Sequence, residues 1–289
     1  MLQVVLSGLI FGCVYGLAAF GLVLIFKTTG VVNFAQGEMA MITTFISYQF
    51  LKKLNMPYAI SFFLALVVAA IIGFLIYLFF MKWVQSEHHL NQMVITLGLF
   101  LVINGVAGLI WGHTPTSFPV AIEGEPLNIG SVFITPNEIF LVGLTIVVMA
   151  LFYLIFKYSK VGLAIRTSAQ DITASKLMGI KVSKVFMTTW VVSSVLGGIA
   201  GMMTAPITYL TTNMMFDVVI MAFAAAVLGG FVSLPGALFG GLVIGLIEGL
   251  ISYYIGPEFK VVFTFLLIVI VLYIRPQGIF GGRKTIKKV

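Results

Sequence analysis

Ionised side chains are scarce in this sequence. Asp, Glu, Lys and Arg make up only 9% of its 289 residues, whereas 61% are hydrophobic. A soluble domain averages about 25% charged and about 45–50% apolar residues. Too few charges remain to coat a water-facing surface, so water is not the chain's main solvent. Cysteine occurs once, as Cys13, which excludes an internal disulfide and says nothing about redox compartment. Histidine is confined to His88, His89 and His113, with no H-E-x-x-H or C-x-x-C nearby. Adjacent His88 and His89 point to different faces of a helix, so they read as interfacial residues and no metal site is expected. There is no G-x-x-x-x-G-K to cradle nucleotide phosphates and no G-x-S-x-G nucleophile turn. No two glycines are separated by a single residue, which excludes a G-x-G-x-x-G dinucleotide loop. No catalytic residue and no cofactor is therefore assigned to this chain, and an enzyme is not expected.

What is abundant is apolar sequence in long runs. About 20 helical residues, rising 1.5 Å each, cross a hydrocarbon core roughly 30 Å thick. Apolar segments fall at about 2–26, 31–51, 57–81, 93–111, 138–156, 187–206, 214–232, 234–252 and 260–274. The first has no basic stretch ahead of it and no polar cleavage region behind it, so it is expected to remain as a helix. Gly and Pro within several runs predict broken or re-entrant helices. The expected fold is an all-α polytopic transmembrane bundle of eight to ten membrane-embedded segments, forming one domain over 1–289.

The few charges orient the bundle. Residues 112–137 hold no Lys or Arg but do hold Glu123 and Glu125. Residues 157–186 hold Lys157, Lys160, Arg166, Lys176, Lys181 and Lys184. One span separates them, so the basic loop is expected in the cytoplasm and the acidic one outside. The tail RPQGIFGGRKTIKKV, four segments later, also falls inside. The net charge of +7 then reflects basic loops rather than nucleic-acid binding. Counting back places Lys27, Lys82, His88 and His89 inside but Lys52 and Lys53 outside, against the pattern. If 31–51 does not fully cross, the N-terminus changes side and that pair moves in. Both arrangements stay open.

Glycines recur every fourth residue at Gly8, Gly12 and Gly16, at Gly236 and Gly240, and at Gly241, Gly245 and Gly249. Small residues on one helix face let backbones approach closely in lipid. Packing within the chain and an interface with a second subunit are both compatible with this. Two segments are interrupted differently. KTTGVVNFAQGEMAM (27–41) carries Gly30, Asn33, Gln36, Gly37 and Glu38, and LGGFVSLPGALFGG (228–241) carries Gly229, Gly230, Ser233, Pro235 and Gly236. Broken helices survive in a membrane where they face protein or a wet cavity, and transporters place sites at such breaks in both halves. A charge at membrane depth costs about 2.5–3.5 kcal/mol on insertion scales, which singles out Glu38 and Glu248. Glu38 lines a path or caps a helix N-terminus; Glu248 faces the bundle interior. Asn104 and Thr96 read as helix–helix hydrogen bonds.

One basic island interrupts the oil: GLAIRTSAQDITASKLMGIKVSKV, residues 162–185. Thr173–Met178 favours helix and Gly179 supplies a stop. A short amphipathic helix along the inner face is expected, serving topology alone or docking a cytoplasmic partner. This island, together with GVVNFAQGEMAM, AFAAAVLGGFVSLPGALFGGLVIGLIE and LYIRPQGIFGGR, resembles the permeases of branched-chain amino-acid ABC importers. The second-half motif is the most specific of the four. The island only approximates the E-A-A-x-x-x-G pattern of ABC importers, through Ala169, Gln170, Asp171 and Gly179 at a wider spacing.

The resemblance implies one half of a translocation pathway, paired with a second permease in the bacterial or archaeal plasma (inner) membrane. Two cytoplasmic ATPases would hydrolyse ATP, and an extracytoplasmic solute-binding protein would deliver branched-chain amino acids or related small polar solutes such as amides or urea. Helix breaks and resemblance together nominate Asn33, Gln36, Gly37, Glu38, Gly229, Gly230, Ser233, Pro235 and Gly236 for the substrate path. For ATPase coupling they nominate Ala169, Gln170, Asp171, Ser175, Leu177, Gly179 and Ile180. A secondary transporter using Glu38, Asp217 and Glu248 to couple an ion gradient is the alternative, and a membrane scaffold without transport is a third reading.

Overall fold

In lipid a helix satisfies its own backbone hydrogen bonds, and each apolar run is built around one. The computed structural model describes residues 1–85, 87–130 and 132–281. The basic tail residues Arg283, Lys284, Lys287 and Lys288 lie outside the described residues. In chain order the helices are α1 (Leu2–Thr29), α2 (Gln36–Lys52) and α3 (Tyr58–Ile76), which continues through a π-helical turn (Tyr77–Met81) into α4 (Lys82–Val84). Then come α5 (His89–Trp111), a small hairpin of β1 (Leu127–Ile129) and β2 (Val132–Ile134), and α6 (Pro136–Tyr158). The chain ends with α7 (Lys160–Gln170), α8 (Ile172–Leu177), α9 (Val182–Thr208), α10 (Phe216–Gly229), α11 (Leu234–Tyr254), a 3-10 turn (Pro257–Phe259) and α12 (Lys260–Ile274). Among the described residues seven helices are long and apolar enough to cross a membrane; α2 and α10, with 17 and 14 residues, are shorter. The result is a polytopic membrane helix bundle.

The centre is α1, which packs on α11, α9 and α10. Its glycines explain the closest of these contacts. A Cβ at Gly12 would lie 2.8 Å from the Cα of Leu242, and one at Gly16 would lie 3.0 Å from Leu238 Cδ1. A Cβ at Gly245 would collide with the Gly8 carbonyl. The two glycine rows therefore face each other, and this part of the glycine pattern is packing within the chain. At the other extreme, α5 and α12 expose large apolar side chains: Leu109 is 89% and Tyr273 90% exposed. Such surfaces are stable against lipid, not water.

Contacts at the helix ends define two faces. Gln3 Nε2 donates to the Phe133 carbonyl at 3.1 Å, and the Phe133 amide donates to Gln3 Oε1 at 2.9 Å. The N-terminus and the β1–β2 hairpin thus share one face. The end of α2 joins them, because Phe45 stacks on Trp111 at 4.9 Å and Tyr48 packs at a tilt against Phe118 at 6.2 Å. Segment 31–51 therefore crosses: it leaves Gly30 beside His89 on the opposite face and brings Lys52 and Lys53 to the hairpin face. The opposite face carries α7 and α8.

Some boundaries differ from the apolar runs. α5 begins at His89 and α9 at Val182, ahead of the runs at 93 and 187. Polar residues extend these helices to the membrane surface, where backbone bonding continues although hydropathy falls. His88 caps α5, with its Nδ1 accepting the Leu90 amide at 3.4 Å.

Candidate functional site

The first helix break is folded back into the bundle. Gly30, at φ +73, ends α1 in the left-handed conformation that glycine tolerates best. Residues 31–35 then return along α1 to start α2. Thr96 holds this return: its hydroxyl accepts the Phe34 amide at 3.3 Å and lies 3.4 Å from the Val32 carbonyl, while it donates to the Met93 carbonyl of its own helix at 2.8 Å. Asn33 is fully buried, donating to Gln36 Oε1 at 3.1 Å and accepting the Ala35 amide at 3.1 Å. Gln36 Nε2 donates to the Ser193 carbonyl at 2.8 Å. The Ser193 hydroxyl lies 2.9 Å from Gln36 Oε1 and 2.8 Å from the Gly21 carbonyl. Asn33 and Gln36 thus join the broken segment to α1 and α9. Ser193 completes this lock, and no sequence motif marks it.

Glu38, in the first turn of α2, is 4% exposed and does not cap its own helix. Its Oε2 accepts from Asn104 Nδ2 at 3.2 Å. The same amide reaches the Thr212 carbonyl at 3.1 Å, so Asn104 ties α2, α5 and the segment before α10. Asn104 is a helix–helix bond, as expected, and also lines a cavity. That segment is held in turn by the Thr116–Leu210 backbone bridge, with N–O distances of 3.1 and 2.9 Å, and by His113 Nδ1 at 2.9 Å from Thr212 Oγ1.

Two cavities adjoin here. One, of about 770 Å³, is lined by Tyr15, Asn104, Asn213, Asp217, Glu248 and Lys260 among others. The second, of about 380 Å³, is mostly apolar and is lined by Asn33, Gly37 and Glu38. Phe100 and Phe216 border both. Lys260 Nζ lies 3.0 Å from Asp217 Oδ2 and 3.6 Å from Glu248 Oε1. Glu248 is 8% exposed, and its Oε2 has no hydrogen-bond partner. Three helices, α10, α11 and α12, thus bring charges of both signs to one space with aromatic walls. Such a space has donors for a carboxylate, acceptors for an ammonium group and apolar area for a side chain. Lys260 went unremarked in the sequence because it starts an apolar run and no motif surrounds it.

The second break lies elsewhere. Gly229 and Gly236 abut so closely that a Cβ on either would strike the other's carbonyl. Gly230 has φ +95, and a Cβ there would lie 2.7 Å from the Gln277 carbonyl. Ser233 caps α11, accepting the Gly236 amide at 3.1 Å. Residues after α12 bind this turn: the Ile279 amide donates to the Leu228 carbonyl at 2.8 Å and the Phe280 amide to the Gly229 carbonyl at 3.2 Å. Ser233 and Pro235 line a cavity with Lys27, Gln170 and Gln277 on the α7–α8 face, while Glu38 and Gly37 line the one described above. The two nominated groups are therefore not brought together in one cavity.

The basic island forms two helices rather than one. Ser159 caps α7 through the Gly162 amide at 3.0 Å, and Asp171 caps α8 through the Ala174 amide at 2.9 Å. Gly179, at φ +81, ends α8. Leu177 and Met178 are 85% and 83% exposed at this tip, flanked by Lys176 and Lys181. Gln170, Asp171 and Gly179 are also exposed, Ala169 and Ile180 are half-buried, and Ser175 is buried.

The family model for the branched-chain amino acid transport system permease component matches residues 4–272. The high-affinity branched-chain amino acid transport system permease protein LivH of Escherichia coli (strain K12) is 30% identical, over 100% of this chain and 97% of its own length. Its counterpart BraD of Pseudomonas aeruginosa is 28% identical, over 100% and 98%. The probable branched-chain amino acid transport permease protein LivH of Methanocaldococcus jannaschii is 30% identical, over 96% and 92%.

Proposed function

The chain belongs to the family of branched-chain amino acid transport system permease components, and from that premise we propose that it is the membrane-spanning permease subunit of an ATP-driven importer. Its substrates are branched-chain amino acids or related small polar solutes. The observation that carries this reading is the match to the family and its relatives over nearly the whole chain. The family is one of transport permeases and not of enzymes, and it does not favour an ion-coupled secondary transporter. The hairpin face, with Glu123 and Glu125, is extracytoplasmic and receives solute from a binding protein. The α7–α8 face is cytoplasmic, as is the C-terminus: Lys27, Lys82, Lys157, Lys160, Arg166, Lys176, Lys181, Lys184 and Arg275 gather there. The membrane is the plasma (inner) membrane.

ATP is hydrolysed by two partner subunits, so this chain needs no cofactor. A second permease completes the path. Solute enters the charged cavity between α1, α5, α10, α11 and α12, where Asn104, Asp217, Glu248 and Lys260 contact it, and passes Glu38 in the adjoining apolar cavity. Leu177 and Met178 seat α8 in an ATPase groove, and closure of the ATPases on ATP moves α7–α8 and rocks the bundle. Gly229, Gly230, Ser233, Pro235 and Gly236 act on this side as the seat of the C-terminal segment. Co-purification tests the coupling assignment. Wild type carries ATPase subunits through purification, and Leu177→Asp weakens that association by roughly 10- to 100-fold, as expected for losing a buried apolar contact. Unchanged recovery of ATPases with both Leu177→Asp and Met178→Asp would remove α8 from the interface.

A further inference from the structure

On the α7–α8 face a crevice of about 550 Å³ runs between α6 and α11, with α1 as its floor. It exists because α6 packs on α1 and α7 but makes no extended contact with α11. Its shaft is apolar: Phe20, Met149, Ala150 and Leu238 line it. Its mouth is cationic: Lys27 in the last turn of α1, Lys157 in the last turn of α6, and Arg166 of α7. No acidic side chain lines it, and among the described residues the ion pairs are those of Lys260 far along the bundle.

The cations are held by neutral groups only. Arg166 Nη2 donates to the Lys157 carbonyl at 3.2 Å, which caps α6 with one guanidinium N–H and leaves others unassigned. Lys157 Nζ lies 3.3 Å from the Tyr153 hydroxyl and over the Tyr153 and Tyr158 rings at 5.4 and 5.2 Å. Three like charges converging without a counter-ion repel one another, and an anion relieves that. The helix ends place the mouth at the membrane surface while the shaft points into the hydrocarbon. A ligand matching both has an anionic head and an apolar tail.

We propose that this crevice binds an anionic phospholipid, with the phosphate between Lys27, Lys157 and Arg166 and an acyl chain along Phe20, Met149 and Leu238. A free phosphate fits the charges but not the shaft, and a zwitterionic lipid fits the shaft but gains less from the charges. The site is separate from the charged cavity and does not depend on the solute assigned to it.

The test uses the full-length protein purified in detergent with its co-purifying subunits. Native mass spectrometry titrates phosphatidylglycerol and phosphatidylcholine of the same acyl chains. Wild type is expected to retain phosphatidylglycerol preferentially. Lys27→Gln and Arg166→Gln each lower that affinity by roughly fivefold, the effect of one interfacial cation, and Arg166→Lys largely keeps it. If Arg166→Gln does not assemble, Lys27→Gln, which removes no cap, decides. Equal retention of the two lipids by wild type, unchanged affinity in the variants, or displacement of phosphatidylglycerol by equimolar inorganic phosphate overturns the proposal.

Discussion

Replacing Gly245 by Ala probes the seam on which the bundle is built. The new methyl would enter the Gly8 carbonyl on one side and the Gly12 backbone on the other. Neither obstacle is a side chain that can swing away, so α1 and α11 must separate. The same seam holds Gly12 against Leu242 and Gly16 against Leu238, and all of these contacts loosen together. Overpacking of this kind costs about 1–3 kcal/mol, and the rigid backbone on both sides places Gly245→Ala near the upper end. Alanine's better helix propensity returns at most about 1 kcal/mol. Gly143, in α6, is the control: a Cβ there meets nothing within 4 Å. Gly143→Ala should leave stability unchanged or raise it by up to about 1 kcal/mol. Heating the purified proteins in detergent and measuring the soluble monodisperse fraction should put Gly245→Ala several degrees below wild type and Gly143→Ala at or above it. Equal midpoints for the two variants would refute the packing argument.

Three further outcomes follow from the buried polar groups. Ser193→Ala leaves the Gly21 carbonyl and Gln36 without their hydroxyl partner, so it should cost about 1–3 kcal/mol in the same thermal assay. Lys260→Met strands Glu248 in the cavity; because Lys260 is 28% exposed, a loss of about 2 kcal/mol is expected rather than the 3–5 kcal/mol of a fully buried pair, and adding Glu248→Gln should restore most of it. Glu38→Ala should lower solute uptake by at least about tenfold while the subunits still co-purify, as a charge-assisted contact is worth roughly 1.5–3 kcal/mol; uptake at the wild-type level would take Glu38 out of the path.

How much of this was legible in the sequence depended on how local the signal was. The apolar runs located the membrane helices, since hydropathy is a property of the segment itself. The α8 helix and its stop at Gly179 were readable for the same reason: Asp171, the helix formers after it and the glycine are neighbours. The seam was half legible. Glycine spacing showed that α1 and α11 each have a small-residue face, but not that Gly12 meets Leu242 across the chain. The charged cavity was the least legible. Asp217, Glu248 and Lys260 are ordinary single residues until α10, α11 and α12 fold together. Glu38 stood out through the helix break it sits in, the resemblance and the cost of a carboxylate in lipid, and Glu248 through that cost and the glycine-rich run around it. The glycine-rich second break was legible as a break, while its role as the seat for residues 277–280 was not, because those hydrogen bonds join segments far apart in sequence.

In the proposed function, force arrives at α7–α8 from ATP-hydrolysing partners. Proteoliposomes test this most directly, with labelled leucine, the binding protein and ATP on the appropriate sides, comparing the assembled complex with this chain alone. Uptake by the complex should require ATP hydrolysis and disappear without the ATPase subunits. Accumulation by the chain alone, driven by an imposed ion gradient with no nucleotide present, would contradict it.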